Sequence, residues 1–201
     1  DMKTIKSIFG RKDVSLSIFD IDDTLFRTTT RAYVIKNGKR VRKLSPAQFN
    51  FYVLKPGESY DFAEFISSEV FTKTAKPIKN VFNLAKRLVR RYAGSGSQVI
   101  ALTARPDLDD RDVFLDAFRK FGFPVNDIHI ERAGNLPHPG PQAKAIIVRQ
   151  YLSSGRFTHA QMFDDSSLNL AEFLRLRAEY PKITFEAFLV SERGSISRFS
   201  K

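Results

Sequence analysis

The run Ser17-Ile18-Phe19 is apolar enough to form a strand, and it ends abruptly in Asp20-Ile21-Asp22-Asp23-Thr24. Ionised side chains are costly beside a core, so three carboxylates at this point need a function or a partner. Asp20 and Asp22, two places apart, can approach one reacting centre from different sides. One can act as nucleophile and the other as proton donor to a leaving oxygen. Phosphoryl transfer to a carboxylate needs those two groups, together with cations that offset the charge on enzyme and phosphate.

A second acidic cluster, Met162-Phe163-Asp164-Asp165-Ser166-Ser167-Leu168-Asn169, ends another apolar run in paired carboxylates. Two such clusters call for a hard divalent cation. Magnesium (Mg2+) suits them, since it takes oxygen ligands and keeps several waters. Between the clusters, the apolar run Val99-Ile100-Ala101-Leu102 ends in Thr103, whose hydroxyl can donate to a phosphoryl oxygen. Lys144 follows a Pro- and Gly-rich loop at 136–141 and can supply positive charge. The candidate site is therefore Asp20, Asp22, Thr103 and Lys144 for catalysis and substrate binding, with Asp20, Asp22, Asp164 and Asp165 around the metal.

Each of these residues also has a purely structural reading. Loop carboxylates cap backbone amides, and Asp164 or Asp165 could cap the following helix. Thr103 could cap a helix after Pro106, and Lys144 could be a solvated surface lysine. Arg105 suits a substrate contact and a structural ion pair equally, and is left outside the site. His129, His138 and His159 show no metal-ligand spacing.

Positioning such residues requires strands that all end at one edge. Short β-rich runs at 14–19, 98–103, 127–131, 161–163 and 183–190 alternate with amphipathic helical patterns at 77–92, 109–121, 142–152 and 167–179. That alternation predicts an α/β fold with a parallel sheet covered by helices. In such sheets ligands bind outside the carboxyl ends of the strands, where these acids fall. Pro77 suits the first turn of its helix, and Gly122 suits a helix end.

Residues 26–75 break the alternation and read as an insertion. Asn37-Gly38 predicts a tight hairpin over 31–44, Ser45-Pro46 the start of a short helix, and Lys55-Pro56-Gly57 a turn. The stretch from Arg27 to Lys43 is densely basic: Arg27, Arg31, Lys36, Lys39, Arg40, Arg42 and Lys43. Exposed lysines protect hairpin edges, and the same charges can guide a polyanionic substrate.

The four elements, Asp-x-Asp-x-Thr, a strand ending in Thr, a lone Lys and Asp-Asp, in that order, resemble the four motifs of the haloacid dehalogenase (HAD-like) superfamily of phosphatases. The resemblance spans Asp20 to Asp165. It implies a Rossmann-like three-layer α/β/α sandwich with the first-motif strand central and a small flap or cap after it, at about 26–75. It implies that Asp20 forms an aspartyl-phosphate and that Asp22 is general acid, then base, while giving magnesium a backbone carbonyl. By the same resemblance Thr103 and Lys144 hold the phosphoryl group, Asp164 binds magnesium directly, and Asp165 acts through water or orients its neighbours. The Asp two places after the nucleophile favours phosphoester cleavage over dehalogenation, and a small cap implies an open cleft.

The 201 residues fit one domain, and their apolar share of 42% supplies a core. The 19 Phe residues lie among charged ones, so no membrane span is expected. The first residues lack the apolar run of an export signal, and Asp1 ahead of Met2 reads as a residue added for expression, so the expectation is a cytoplasmic protein. With no cysteine, thiolate metal sites, disulfides and a Cys nucleophile are excluded. A net charge of +11 favours phosphorylated partners, from small molecules to a nucleic-acid end bearing a 3′-phosphate. The rival reading is a non-catalytic nucleic-acid-binding protein on the same fold. A signalling receiver domain orders its acids differently, with the acidic pair first.

Overall fold

The computed structural model describes residues 13–49 and 52–200. The N-terminal residues considered above for an export signal lie outside them. Among the described residues no helix is long and apolar enough to cross a membrane.

Eleven strands fall into three sheets among these residues. Strand β1 (Ser15–Phe19) is followed by β2 (Phe26–Arg27) and then by an inserted unit. The insert comprises β3 (Ala32–Lys36), β4 (Lys39–Leu44), the short helix α1 (Pro46–Phe49), β5 (Glu58–Asp61), and helices α2 (Ala63–Ile66) and α3 (Ser68–Thr74). Strand β6 (Lys76–Pro77) closes it by pairing antiparallel with β2, Phe26 opposite Pro77. The chain continues through α4 (Lys79–Tyr92), β7 (Gln98–Thr103), α5 (Arg111–Lys120), β8 (His129–Arg132), α6 (Gly140–Leu152), β9 (His159–Asp164), α7 (Ser167–Arg175), β10 (Thr184–Val190) and β11 (Ile196–Phe199).

The main sheet has six strands in the order β11-β10-β9-β1-β7-β8, all parallel except β11. Alternation of side chains across the strands builds two cores. Leu16, Ile18, Ile100 and Leu102 pack on one face against Ala143, Ile147, Leu170 and Phe173 of α6 and α7. Phe19, Val99 and Ala101 pack on the other against Val81, Ala85, Phe114 and Phe118 of α4 and α5. The architecture is a mixed α/β fold with a central, mostly parallel sheet between helices, compatible with a Rossmann-like layout.

Strand order reverses at β1. From β1 the chain moves to β7 and β8 on one side, then crosses to β9 and β10 on the other. The crevice of an open α/β sheet lies at this reversal, outside the carboxyl ends. The register sets Phe19 beside Phe163, so Asp20 stands level with Asp164.

The insert has its own three-stranded sheet, β4-β3-β5, around Ala32, Val34 and Leu44. Its hairpin turns at Asn37 and Gly38, with φ of 51° and 71°, as a two-residue turn with two left-handed positions requires. Ser45 and Gln48 exchange backbone and side-chain hydrogen bonds in a capping box that starts α1. The 55–57 turn closes with Glu58 N donating to the Lys55 carbonyl at 2.9 Å. Phe26, fully buried, anchors the insert's root among Phe71, Phe82 and Phe118, its ring 5.5, 5.1 and 4.8 Å from theirs.

Two expected elements start later than their sequence implies, and two further strands are unexpected. Pro77 lies in β6, not in the first turn of α4, because its extended partner Phe26 draws residues 76–77 into a strand pair. Residue 127 belongs to a 3-10 turn, so β8 starts at His129. Strands β5 and β11 carry no sequence signal that predicts them: β5 reads Glu-Ser-Tyr-Asp, and its extension comes from pairing with β3.

Candidate active site

Each motif residue sits where its strand meets the carboxyl edge. Asp20 directly follows β1, Thr103 ends β7 and Asp164 ends β9. After Asp20 the chain turns sharply: Leu25 N and Phe26 N both donate to the Ile21 carbonyl, and Asp23 N donates to the Phe26 carbonyl. Asp23 takes φ of 58°, a left-handed conformation that Asp tolerates better than most residues.

Asp20, Asp164 and Asp165 each bring a carboxylate oxygen within 4.8 Å of the others. Lys144 reaches into this group from α6, its Nζ donating to Asp20 Oδ1 at 2.6 Å and to Asp164 Oδ2 at 2.8 Å. Lys144 is 2% exposed, so it is no solvated surface lysine. Burial alone would lower its pKa, but Asp164 and Asp20 outweigh that and hold the ammonium above its ordinary value.

Three carboxylates against one ammonium leave two negative charges unmatched. Burial raises the Asp20 pKa well above the usual carboxylate value; Lys144 opposes the rise, and Asp164, Asp165 and Asp22 add to it. Asp165 is open to solvent on one side, yet desolvation on its inner side and then the Asp164 charge push it up to about 7. Asp23 is raised by burial and by Asp22. A group of oxygen ligands with a net charge of minus two is the donor set a hard divalent cation takes, and magnesium fits it.

Asp164 is further fixed by Asn169 Nδ2, which lies 2.9 and 3.0 Å from its two oxygens, and by Ser166 N at 2.8 Å. The cap of α7 is Ser166, so neither Asp164 nor Asp165 is spent on that role. Asp165 N donates to the buried Thr24 hydroxyl at 3.1 Å, tying the two acidic loops together. Thr103 does not cap α5, whose cap is Asp110. Its oxygen accepts the Arg105 amide at 3.1 Å, which leaves its own hydrogen available to an acceptor in the crevice.

Asp22 is the one site residue whose carboxylate stands apart. It is not among the converging ligand oxygens; Arg105 takes both of its oxygens at 2.7 Å, and Thr28 donates to one at 3.1 Å. A metal role for Asp22 therefore does not pass through its carboxylate. Arg105, 1% exposed, also donates to Thr30 Oγ1 and to the Phe65 carbonyl, and stacks on the rings of Phe65 and Phe71. Sequence reasoning gives no site role to Arg105, Thr24 or Asn169; Thr24 and Asn169 lie within the acidic motifs, and that proximity is the available signal.

A groove of about 410 Å³ lies between α5 and β8, lined by Arg111, Leu115, Arg119 and Ile130, and contains none of the site residues. No protein-family model matches the chain, and no curated protein matches it either.

Proposed function

We propose that this protein is a magnesium-dependent phosphomonoesterase of the haloacid dehalogenase type, with Asp20 as nucleophile. The observation that carries the reading is the meeting of Asp20, Lys144 and Asp164 within hydrogen-bonding distance at the strand-order reversal, with Asp165 beside them.

In the first step an Asp20 oxygen attacks phosphorus, an Asp20 O–P bond forms and the bond from phosphorus to the leaving oxygen breaks. Asp22 gives its proton to that oxygen. In the second step Asp22 takes a proton from water as the water attacks phosphorus, the Asp20 O–P bond breaks and inorganic phosphate leaves. Lys144 and Thr103 hold the equatorial phosphoryl oxygens and offset their charge. Asp20, Asp164 and Asp165 would hold magnesium, which when bound neutralises the carboxylates and the incoming phosphate. Arg105 orients Asp22, and its fork must loosen for Asp22 to carry a proton. The insert then serves as a small lid, since Thr30 and Phe65 belong to it.

The test is turnover of a generic phosphomonoester with and without magnesium, alongside Asp20→Asn. Magnesium-dependent phosphate release that Asp20→Asn abolishes supports the reading. Absence of turnover across small phosphomonoesters and 3′- and 5′-phosphorylated oligonucleotides would leave a non-catalytic binding protein instead.

A further inference from the structure

Helix α4 differs from every other long helix in how its surface charge is arranged. Helix α3 pairs Lys73 with Glu69, α5 pairs Arg119 with Asp116, α6 pairs Arg149 with Glu179, and α7 pairs Arg175 with Glu172. On α4 the exposed residues are Lys79, Asn80, Asn83, Arg87, Arg90 and Arg91, with no carboxylate and no apolar side chain among them. None of its four exposed cations has an ion pair among the described residues.

This arrangement carries a cost within the fold. Arg87 and Arg91 are like charges at i,i+4, and so are Lys86 and Arg90, which disfavours the helix by a few tenths of a kcal/mol per pair. Lys79 at the first position opposes the positive end of the helix dipole. Arg90 and Arg91 complement the negative end, so the dipole accounts for those two alone. A merely solvated face would tolerate interspersed carboxylates, as α3, α5 and α7 have; α6 has none, but its one surface cation, Arg149, is paired with Glu179 from beyond α7. The buried face of α4 is spent on Val81, Phe82, Ala85 and Val89, so the cations are not there to carry an apolar surface.

We infer that the exposed face of α4 binds the sugar–phosphate backbone of a nucleic-acid strand. Lys, Arg and Asn are among the side chains that donate to phosphate oxygens, and their alignment over about 18 Å of helix suits a linear polyanion better than a single small anion. The track begins at Lys76, which lies opposite Arg27 in the β2–β6 pair, and Ile78 N just before α4 donates to the Leu25 carbonyl of the loop that follows Asp20. An anionic membrane is the weaker fit, because membrane-surface helices add an apolar face to the basic one, and on α4 that face lies inside the protein. The inference does not depend on the phosphomonoesterase reading.

The experiment is fluorescence anisotropy of a labelled single-stranded oligonucleotide of about 20 nucleotides, titrated with the full chain at several salt concentrations. Binding is expected to weaken steeply with salt. The double variant Arg87→Glu/Arg91→Glu is expected to bind about tenfold or more weakly, with the log–log salt slope reduced by roughly 0.7 for each phosphate that is no longer neutralised. Both side chains are exposed, so the variant should fold, with a melt lowered by only a few degrees for the carboxylate at the negative end of the helix. Undiminished oligonucleotide binding by the folded double variant would overturn the inference. So would binding to vesicles containing phosphatidylserine with none to the oligonucleotide. Phosphate release from a small phosphomonoester should be the same in parent and double variant, which separates this outcome from failure of the catalytic assignment.

Discussion

Arg105 and Asp22 face each other through two parallel N–H···O contacts of 2.7 Å, 83 positions apart in the chain. The guanidinium is 1% exposed and is also held by Thr30 and the Phe65 carbonyl, both in the insert. The proposed proton carrier is thus tied to the part of the molecule that would cover the crevice.

Replacing Arg105 with Met removes this fork and leaves Asp22 without its cation. Because Asp22 is partly open to water, the loss of unfolding free energy is expected at about 2–3 kcal/mol, below that of a fully buried broken pair. Urea denaturation checks the figure. If Arg105 positions Asp22, kcat falls about 100-fold with KM little changed, whereas a purely structural role would leave kcat of the folded fraction intact.

Asp165 tests the charge imbalance among the acids. Asp165→Asn removes a repulsive neighbour from Asp164 and Asp20, so in chelator the variant should melt a few degrees above the parent. Magnesium at a hundredfold excess over its Kd should stabilise the parent by about 2.7 kcal/mol and the variant by clearly less. Melting curves with chelator and with magnesium give both quantities.

Gly134 has no room for a side chain: a Cβ there would lie 2.4 Å from the Ala104 carbonyl oxygen, 2.5 Å from Pro106 N and 2.6 Å from Arg105 C. These are backbone atoms and cannot swing aside. Gly134→Ala should cost about 1–3 kcal/mol by displacing the segment that carries Arg105, and should lower turnover in the folded protein. Thermal melts with parallel rate measurements distinguish the two effects.

The insert should respond to acid. Glu58 accepts the Lys55 amide and the Tyr52 hydroxyl, and Asp61 accepts the Ala63 amide and Arg40, which hold both carboxyls below their ordinary values. A lowered folded-state value favours the ionised fold, so this support is present above the ordinary carboxylate range and is lost as pH falls through the lowered values. Protection of the β3 amides, taken relative to their intrinsic exchange rates at each pH, should therefore fall between pH 6 and about pH 3, while that of β1 changes little.

The strands that carry the acids are legible in sequence because each is an apolar run cut off by charge, as at Phe19-Asp20 and Phe163-Asp164. The helices follow from their stripes, and the hairpin from Asn37-Gly38. Strand β5 is not legible, since Glu58-Ser59-Tyr60-Asp61 has no apolar pattern and is extended only by its neighbour. Pro77 misleads because a proline suits both a helix start and a short edge pair. Arg105 cannot be placed from sequence because its partner is remote in the chain, and nothing local distinguishes a buried arginine from an exposed one.

The sheet that lies between β2 and β6 in the chain has a wider consequence. Among the described residues, strands β3, β4 and β5 form a sheet of their own and share no rung with the main one, so their length and contents are not constrained by its closure. The rest of the insert has no such freedom: Phe71 of α3 is buried against Phe26 and Phe114, and Thr30 and Phe65 hold the arginine that grips Asp22, so a change there would be felt at the sheet edge.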